Sequence, residues 1–424
     1  MIGAGLAGLA AATRLARAGV HVRLHEAAQA AGGRCRSYDD AELGCRVDNG
    51  NHLLVSGNNA AMAYVNETLA AATFDTQEIA AFPFVDLKSG ERWSVRPTEG
   101  LLPLWVFRAD RRVAGSRAWD YLQALNLRAA DENATVAQVL PKNSILYDRL
   151  WRPLTVAVLN TVPEEASADL LWSVLAETFG RGGAALHALL PRHGLSESLV
   201  DPALRLLTRR GSEITFGHRL RSLSIAGDCV ASLDFAAKGQ VDVAADEPVV
   251  LAVTAPVAAD LMPGLIVPTE FRGIVNAHYR IEPNRIKPNW IKMGGKLPPF
   301  IGVIGGTAEW IFVKPGHVSV TISAAERLID RSAEDLAQEI WRDVAQALNL
   351  EALDLPQVPR PAWRVVKEKR ATFAATPEQL RRRPGPVTRH HNLFLAGDWT
   401  QTGWPSTIEG AIRSGFAAAA AILR

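Results

Sequence analysis

The residues with the clearest chemical promise stand at the two ends of the 424-residue chain. Gly3-Ala4-Gly5-Leu6-Ala7-Gly8 opens it. In such a run Gly3 allows a tight turn, Gly5 lets a pyrophosphate approach the backbone, and Gly8 lets a helix pack closely on a strand. The N–H groups of the helix that starts at Leu6 and Ala7 point toward the phosphates. Glu26 follows Gly8 after a helix and a strand. A carboxylate there accepts hydrogen bonds from a ribose diol and repels a 2′-phosphate. A glycine run alone is weak; with helix, strand and Glu26 in place it specifies a dinucleotide site.

Two further groups lie where a second half of the ligand would. Gly32-Gly33-Arg34 can lay backbone against a ligand, with Arg34 forked onto phosphate oxygens. Near the other end, Leu395-Ala396-Gly397-Asp398 puts a carboxylate at the carboxyl end of a strand, where ligands bind in open α/β sheets. Asp398 is suited to accept from a ribityl hydroxyl. The helix beginning near Thr407 aims its positive end at the ligand, which suits a reduced, anionic isoalloxazine. Gly410 and Ala411 are small enough for a flat ring to approach. We read the backbone at Ile408–Glu409 as facing that ring, and the Glu409 side chain as half of a capping box with Ser406. The ligand these groups describe is FAD.

The elements that must position them read as an α/β chain. Residues 6–17 carry a helical pattern, with Gly19 as its stop, and 20–26 alternate as a strand. Only Met1 and Ile2 precede the glycines, so we expect the first strand to be completed upstream of Met1. Residues 117–210 are mostly helical in pattern, and 213–235 are short strands and turns. Residues 249–253 are a buried strand, 265–323 a mixed sheet, 325–348 an amphipathic helix, and 392–398 a last strand before the final helix. The expected fold is a Rossmann-type FAD-binding domain with a discontinuous mixed-sheet and helical substrate domain. FAD-binding pieces fall at 1–58, 196–264 and 366–424, and substrate-domain pieces at 59–195 and 265–365.

Composition narrows the alternatives. A net charge of +2 argues against nucleic acid as a partner. Three cysteines, Cys35, Cys45 and Cys229, show no metal or disulfide spacing, which fits a reducing, cytoplasmic setting and no metal site. No apolar run is long enough for a membrane span. Residues 101–107, followed by Arg108, Arg111 and Arg112, read first as a buried strand or short helix with a solvated basic end; the other reading is a segment that dips into a bilayer interface.

These motifs, in this order, resemble the superfamily of FAD-dependent amine oxidases and phytoene desaturases. The segments Val47-Asp48-Asn49-Gly50-Asn51-His52, Leu159-Asn160-Thr161, 190–196 and 397–411 resemble one branch in particular, the hydroxysqualene dehydroxylases. The likeness runs over nearly the whole chain and departs at Trp404, where a smaller aliphatic residue is expected. It implies hydride transfer from reduced flavin to an allylic carbon of a long apolar isoprenoid, with loss of the hydroxyl, as in hopanoid and squalene biosynthesis. It also puts Asn51 at the cofactor. His52 is the candidate acid for the leaving hydroxyl. Trp399 and Trp404 are candidates to line the tunnel or stabilise positive charge, and Asn160 is a candidate on the substrate side. The same motifs fit a polyprenyl or carotenoid desaturase running in the opposite direction, and less well a flavin amine oxidase. The electron donor is left open, because no second nicotinamide-binding motif is present.

Overall fold

The computed structural model describes residues 1–236, 239–281, 298–350 and 360–424. Its first layer is a parallel sheet assembled from both ends and the middle of the chain. The strand Arg23–His25 pairs in parallel with Glu213–Thr215, and Val249–Leu251 with Leu393–Leu395. Ile2 joins the two pairs, bridging in parallel to His25 on one side and Leu251 on the other. The first strand is thus a single bridging residue in the centre of the layer. Its brevity is offset by hydrogen bonds on both sides: Ile2 N donates to Val250 O at 2.9 Å and Gly3 N to His25 O at 2.8 Å.

The helix Leu6–Arg17 follows this bridge and is buried from Leu6 to Ala16 except Arg14. Its alanines allow that, because small side chains let sheet and helix approach from all sides. The final helix, Ile408–Ile422, lies against it so closely that a Cβ on Gly415 would sit 2.2 Å from Ala7 O. The helices Asn59–Glu67 and Asp201–Arg209 join the same core through Tyr64, Val65, Ala203 and Leu207. One apolar cluster therefore runs across residue 58, from Leu54 to Ala61 and Tyr64.

The second layer is a seven-stranded sheet in the order Trp363–Phe373, Phe271–Arg280, His317–Ile322, Trp310–Lys314, Phe300–Ile304, Phe82–Asp86, Arg92–Val95. Only the pairing of Phe300–Ile304 with Phe82–Asp86 is parallel; the others are antiparallel. The helix Ala333–Leu348 covers one face with Leu336, Ile340, Trp341 and Val344. The pattern read as one helix over 325–348 is broken after Ile329 and restarts where the Ser332 side chain accepts from Asp335 N at 3.0 Å. The helices Arg152–Leu159 and Ala168–Glu177 form a separate cluster beyond the sheet's other face.

Of the two forms read for residues 101–107, the structure has the short helix and not the strand. Leu104–Phe107 is a short 3-10 turn in which Trp105 and Val106 are buried and the flanking leucines stand in solvent. The expected capping box is also absent. Thr407, not Ser406, caps the last helix, accepting from Gly410 N at 3.2 Å. Glu409 is drawn away from that role by a stronger set of partners across the domain.

Candidate active site

The cradle at the chain start is set by close backbone approach. Gly3 has φ +102°, and a Cβ there would lie 2.4 Å from Ala252 O. A Cβ on Gly8 would lie 2.0 Å from Gly3 O. Gly5 differs: a Cβ there meets nothing within 4 Å. Open space over Gly5, between two glycines that packing demands, is what a phosphate approaching the backbone needs. Glu26 is locked at the rim, its two oxygens accepting from Ala4 N at 2.7 Å and Ala28 N at 2.8 Å. Gly32 N donates to Ala4 O at 2.8 Å, so the second glycine loop lies on the first.

Arg34 extends from that loop to the other end of the chain. Its guanidinium donates to Asp398 at 2.6 Å and to Ala371 O. The free fork expected for phosphate is therefore held by a carboxylate and a carbonyl. Asp398 also takes the Ser406 hydroxyl, which leaves it oriented at the start of the last helix. Gly397 is required beside it, because with φ +155° a Cβ would lie 2.3 Å from the Trp399 indole nitrogen.

Glu409 is almost completely buried and accepts from Ala60 N at 3.0 Å and Ala61 N at 2.7 Å. It thereby satisfies the free N–H groups of another helix. Arg413 binds it at 2.7 Å and reaches Glu177 as well. The same guanidinium lies 4.1 Å from the centroid of Trp404. One face of Trp404 thus already carries a cation, which weakens the expectation that this ring stabilises positive charge on a substrate.

A cavity of about 250 Å³ opens beside this helix end. Trp404, Thr407, Ile408 and Glu409 form one wall, and Asn51, His52 and Leu53 another. The rest comes from elements remote in sequence: Phe82 and Phe84, Leu154 and Val158, Trp310 and Phe312. Nothing in their spacing marks them, because each is an ordinary apolar face of a strand or helix. The lining is mostly apolar, as in small-molecule sites generally.

His52 is in the wall, but burial lowers it to about 4, Lys314 and Arg34 opposing the pull of Asp48. That shift favours the neutral imidazole. Lys314, which no motif singled out, sits 2.6 Å from Asp48. Burial alone would raise Asp48; that ammonium, Ser37 and Leu195 N hold it low instead. Asn51 donates to Thr321 Oγ1 at 3.1 Å, and its amide oxygen is buried without a partner among the described residues.

Two candidates are placed elsewhere. Asn160 takes a left-handed conformation, φ 48°, as the cap of Arg152–Leu159. It donates to Thr372 Oγ1 at 2.9 Å and accepts from Ala324 N at 2.6 Å, so it ties a helix end to the sheet. Trp399 is in the core under the parallel layer, its indole donating to Val253 O at 2.8 Å.

A parallel layer bearing a glycine cradle, joined to a sheet that roofs an apolar cavity, is the architecture of an FAD-dependent oxidoreductase. Solved structures share it: an oxidoreductase from Methanosarcina mazei, 15% identical, covers 98% of each chain at a TM-score of 0.70. Putrescine oxidase bound to putrescine, also 15% identical, covers 100% of this chain and 98% of its own at 0.70. The chain belongs to the family of flavin containing amine oxidoreductases, whose model matches residues 6–423. It is an enzyme with FAD as cofactor. Among curated proteins it is 47% identical to the hydroxysqualene dehydroxylase of Rhodopseudomonas palustris, over 100% of this chain and 97% of the relative. It is 45% identical to that of Sinorhizobium fredii, over 99% and 96%. Zeta-carotene desaturase of Synechocystis is 22% identical over 100% and 96%.

Proposed function

We propose that this chain removes the hydroxyl of hydroxysqualene reductively, giving squalene and water. The observation that carries the reading is the apolar cavity beside the last helix, in a chain 43–47% identical along nearly its full length to three hydroxysqualene dehydroxylases. The reaction exchanges C–OH for C–H, so it consumes one hydride and one proton. Bound FAD supplies the hydride when reduced.

The chain's residues supply the rest. Gly3, Gly5, Gly8, Glu26, Gly32 and Gly33 would hold the adenosine and pyrophosphate, with Leu6 and Ala7 contributing helix-terminal N–H groups. Arg34 orients Asp398. The last helix offers its positive end through Ile408, Glu409 and Ala411. Phe82, Leu154, Val158 and Phe312 exclude water around the reacting carbon, so a developing allylic cation is not captured by solvent. His52 and Trp404 line the cavity. A substrate of this kind resides in lipid, and the chain meets the bilayer peripherally; no helix of the described residues is long and apolar enough to cross a membrane.

The test is anaerobic. The flavin of the purified protein is reduced with dithionite, hydroxysqualene is added, and the flavin band is followed. Return of the oxidised band with formation of squalene is the expected result. Persistence of the reduced band, with bleaching of oxidised enzyme by phytoene, would replace this reading by a desaturase.

A further inference from the structure

Among the described residues, large apolar side chains exposed to solvent stand mostly singly, except in one stretch. Leu101, Leu102, Leu104 and Phe107 from one turn, and Trp119, Leu122 and Leu125 from the next, are each 55–73% exposed. The two turns meet: the rings of Phe107 and Trp119 lie edge to face at 6.1 Å. Scattered exposed apolar residues need no explanation, whereas a contiguous patch of this kind marks a surface that something covers.

The charge around the patch says what covers it. Residues 96–128 contain six arginines (Arg96, Arg108, Arg111, Arg112, Arg117 and Arg128) against Glu99, Asp110 and Asp120. That excess of three exceeds the net +2 of the entire chain. Asp110 is already engaged by Arg96 and Arg108, and Asp120 by the backbone N–H of Arg117. Arg117 and Arg128 remain exposed at the rim. Leucine and tryptophan at the centre with arginine at the rim is the pattern of an interfacial segment on an anionic bilayer.

The patch also lies over the cavity. Trp105, buried between the exposed leucines, is 5.0 Å from Tyr121 and 6.4 Å from Phe179, ring to ring. Phe179 is 6.4 Å from Phe82, and both line the cavity. One layer of aromatic rings thus separates exposed apolar surface from the apolar interior.

We propose that residues 101–125 are the membrane-docking surface of this enzyme, seated in a bilayer with anionic headgroups. The inference rests on the apolar substrate proposed above, and it adds where that substrate enters: from the lipid, past the Trp105–Phe179 layer, without crossing water. The lipid headgroup needs only to be anionic.

The experiment floats FAD-loaded protein with vesicles of phosphatidylcholine alone and with phosphatidylglycerol added. The probe variant is Leu102→Ser/Phe107→Ser/Trp119→Ser, all exposed positions outside the cavity wall. Wild type is expected to bind the anionic vesicles about tenfold better than the neutral ones, and the variant to lose most of that binding. Turnover of substrate embedded in vesicles should fall with it, while turnover of detergent-dispersed substrate is retained. Failure of turnover in both forms by wild type would sink the dehydroxylase reading, yet vesicle binding would still report on the surface. Equal vesicle binding by wild type and variant overturns the proposal. So does a wild-type dimer by light scattering that the variant dissociates, since the patch would then be an interface between copies.

Discussion

At the cradle an added Cβ on Gly3, Gly8 or Gly32 would come within 2.0–2.5 Å of a backbone carbonyl. In the cavity wall no such constraint exists: Phe82, Leu154, Val158, Trp310 and Phe312 arrive from separate elements and share only apolar surface. The first region is proposed to bind a ligand common to many enzymes, through backbone shape that only particular residues permit. The second is proposed to bind what is particular to this enzyme, through a volume that many residue combinations can enclose. Cofactor binding should therefore be brittle to single substitutions at a few positions. Substrate handling should shift by degrees at many.

The largest expected effect is at Gly8. Gly8→Val forces backbone against backbone, and the purified protein should carry no flavin and fold poorly. Gly5→Ala is its counterpart: the fold should survive, because the space is open, while flavin content drops. Equal outcomes for the two, read from flavin absorbance and thermal midpoint, would erase the distinction between packing glycine and ligand glycine.

Next is Glu409→Ala. It leaves Arg413 with Glu177 as its remaining carboxylate and removes the acceptor from two helix N–H groups, and donors left unsatisfied in this way cost about 1–3 kcal/mol. Urea unfolding should show it, with flavin content reduced in parallel. A shift under about 0.5 kcal/mol would mean that solvent already satisfies those groups.

Acid should weaken the substrate sheet in a predictable window. His278 is fully buried on that sheet and lowered to about 3, chiefly by burial and then by Lys314. His317, lowered to about 4, and His52 behave alike. Below the ordinary value of 6.5 the unfolded chain takes up protons that the folded chain refuses, so stability is full above 6.5 and declines toward pH 4. Glu309, raised to about 7 mainly by burial, opposes this between 7 and 4.5. Three histidines outweigh one carboxyl, for a net loss on the order of a few kcal/mol. His278→Gln should flatten the dependence of thermal midpoint on pH; an unchanged slope would remove His278 as its source.

The smallest effects belong to the cavity. Val158→Trp should leave flavin content intact and slow turnover by about tenfold. His52→Gln should cost less than that, since the imidazole is neutral. A loss beyond about a hundredfold would restore His52 as the proton donor.

Much of the cradle was legible in the sequence because its logic is local. The close packing of Gly8 on Gly3 follows from a short β-α-β unit, in which the two glycines are a few residues apart, and Glu26 stands beside it on Ala4 N. Legibility fails where a side chain chooses among distant partners. Glu409 fits a capping box three residues from Ser406, yet it binds the start of a helix near residue 60. Arg34 suits a phosphate, yet Asp398 is within reach and already charged. Asn160 is a polar residue in an apolar stretch, and only the sheet beside it shows that it caps and ties.

By itself, then, the sequence determined which backbone can touch a dinucleotide, because glycine conformations and helix ends are properties of consecutive residues. It also determined that two separated ends must meet, since Gly397-Asp398 has no use without the opening glycines. The tertiary structure alone decided the cavity, the state of His52 and the exposure of residues 101–125. Burial is not a property of a segment: it depends on what packs over it, and desolvation, pKa and access to lipid all follow from burial.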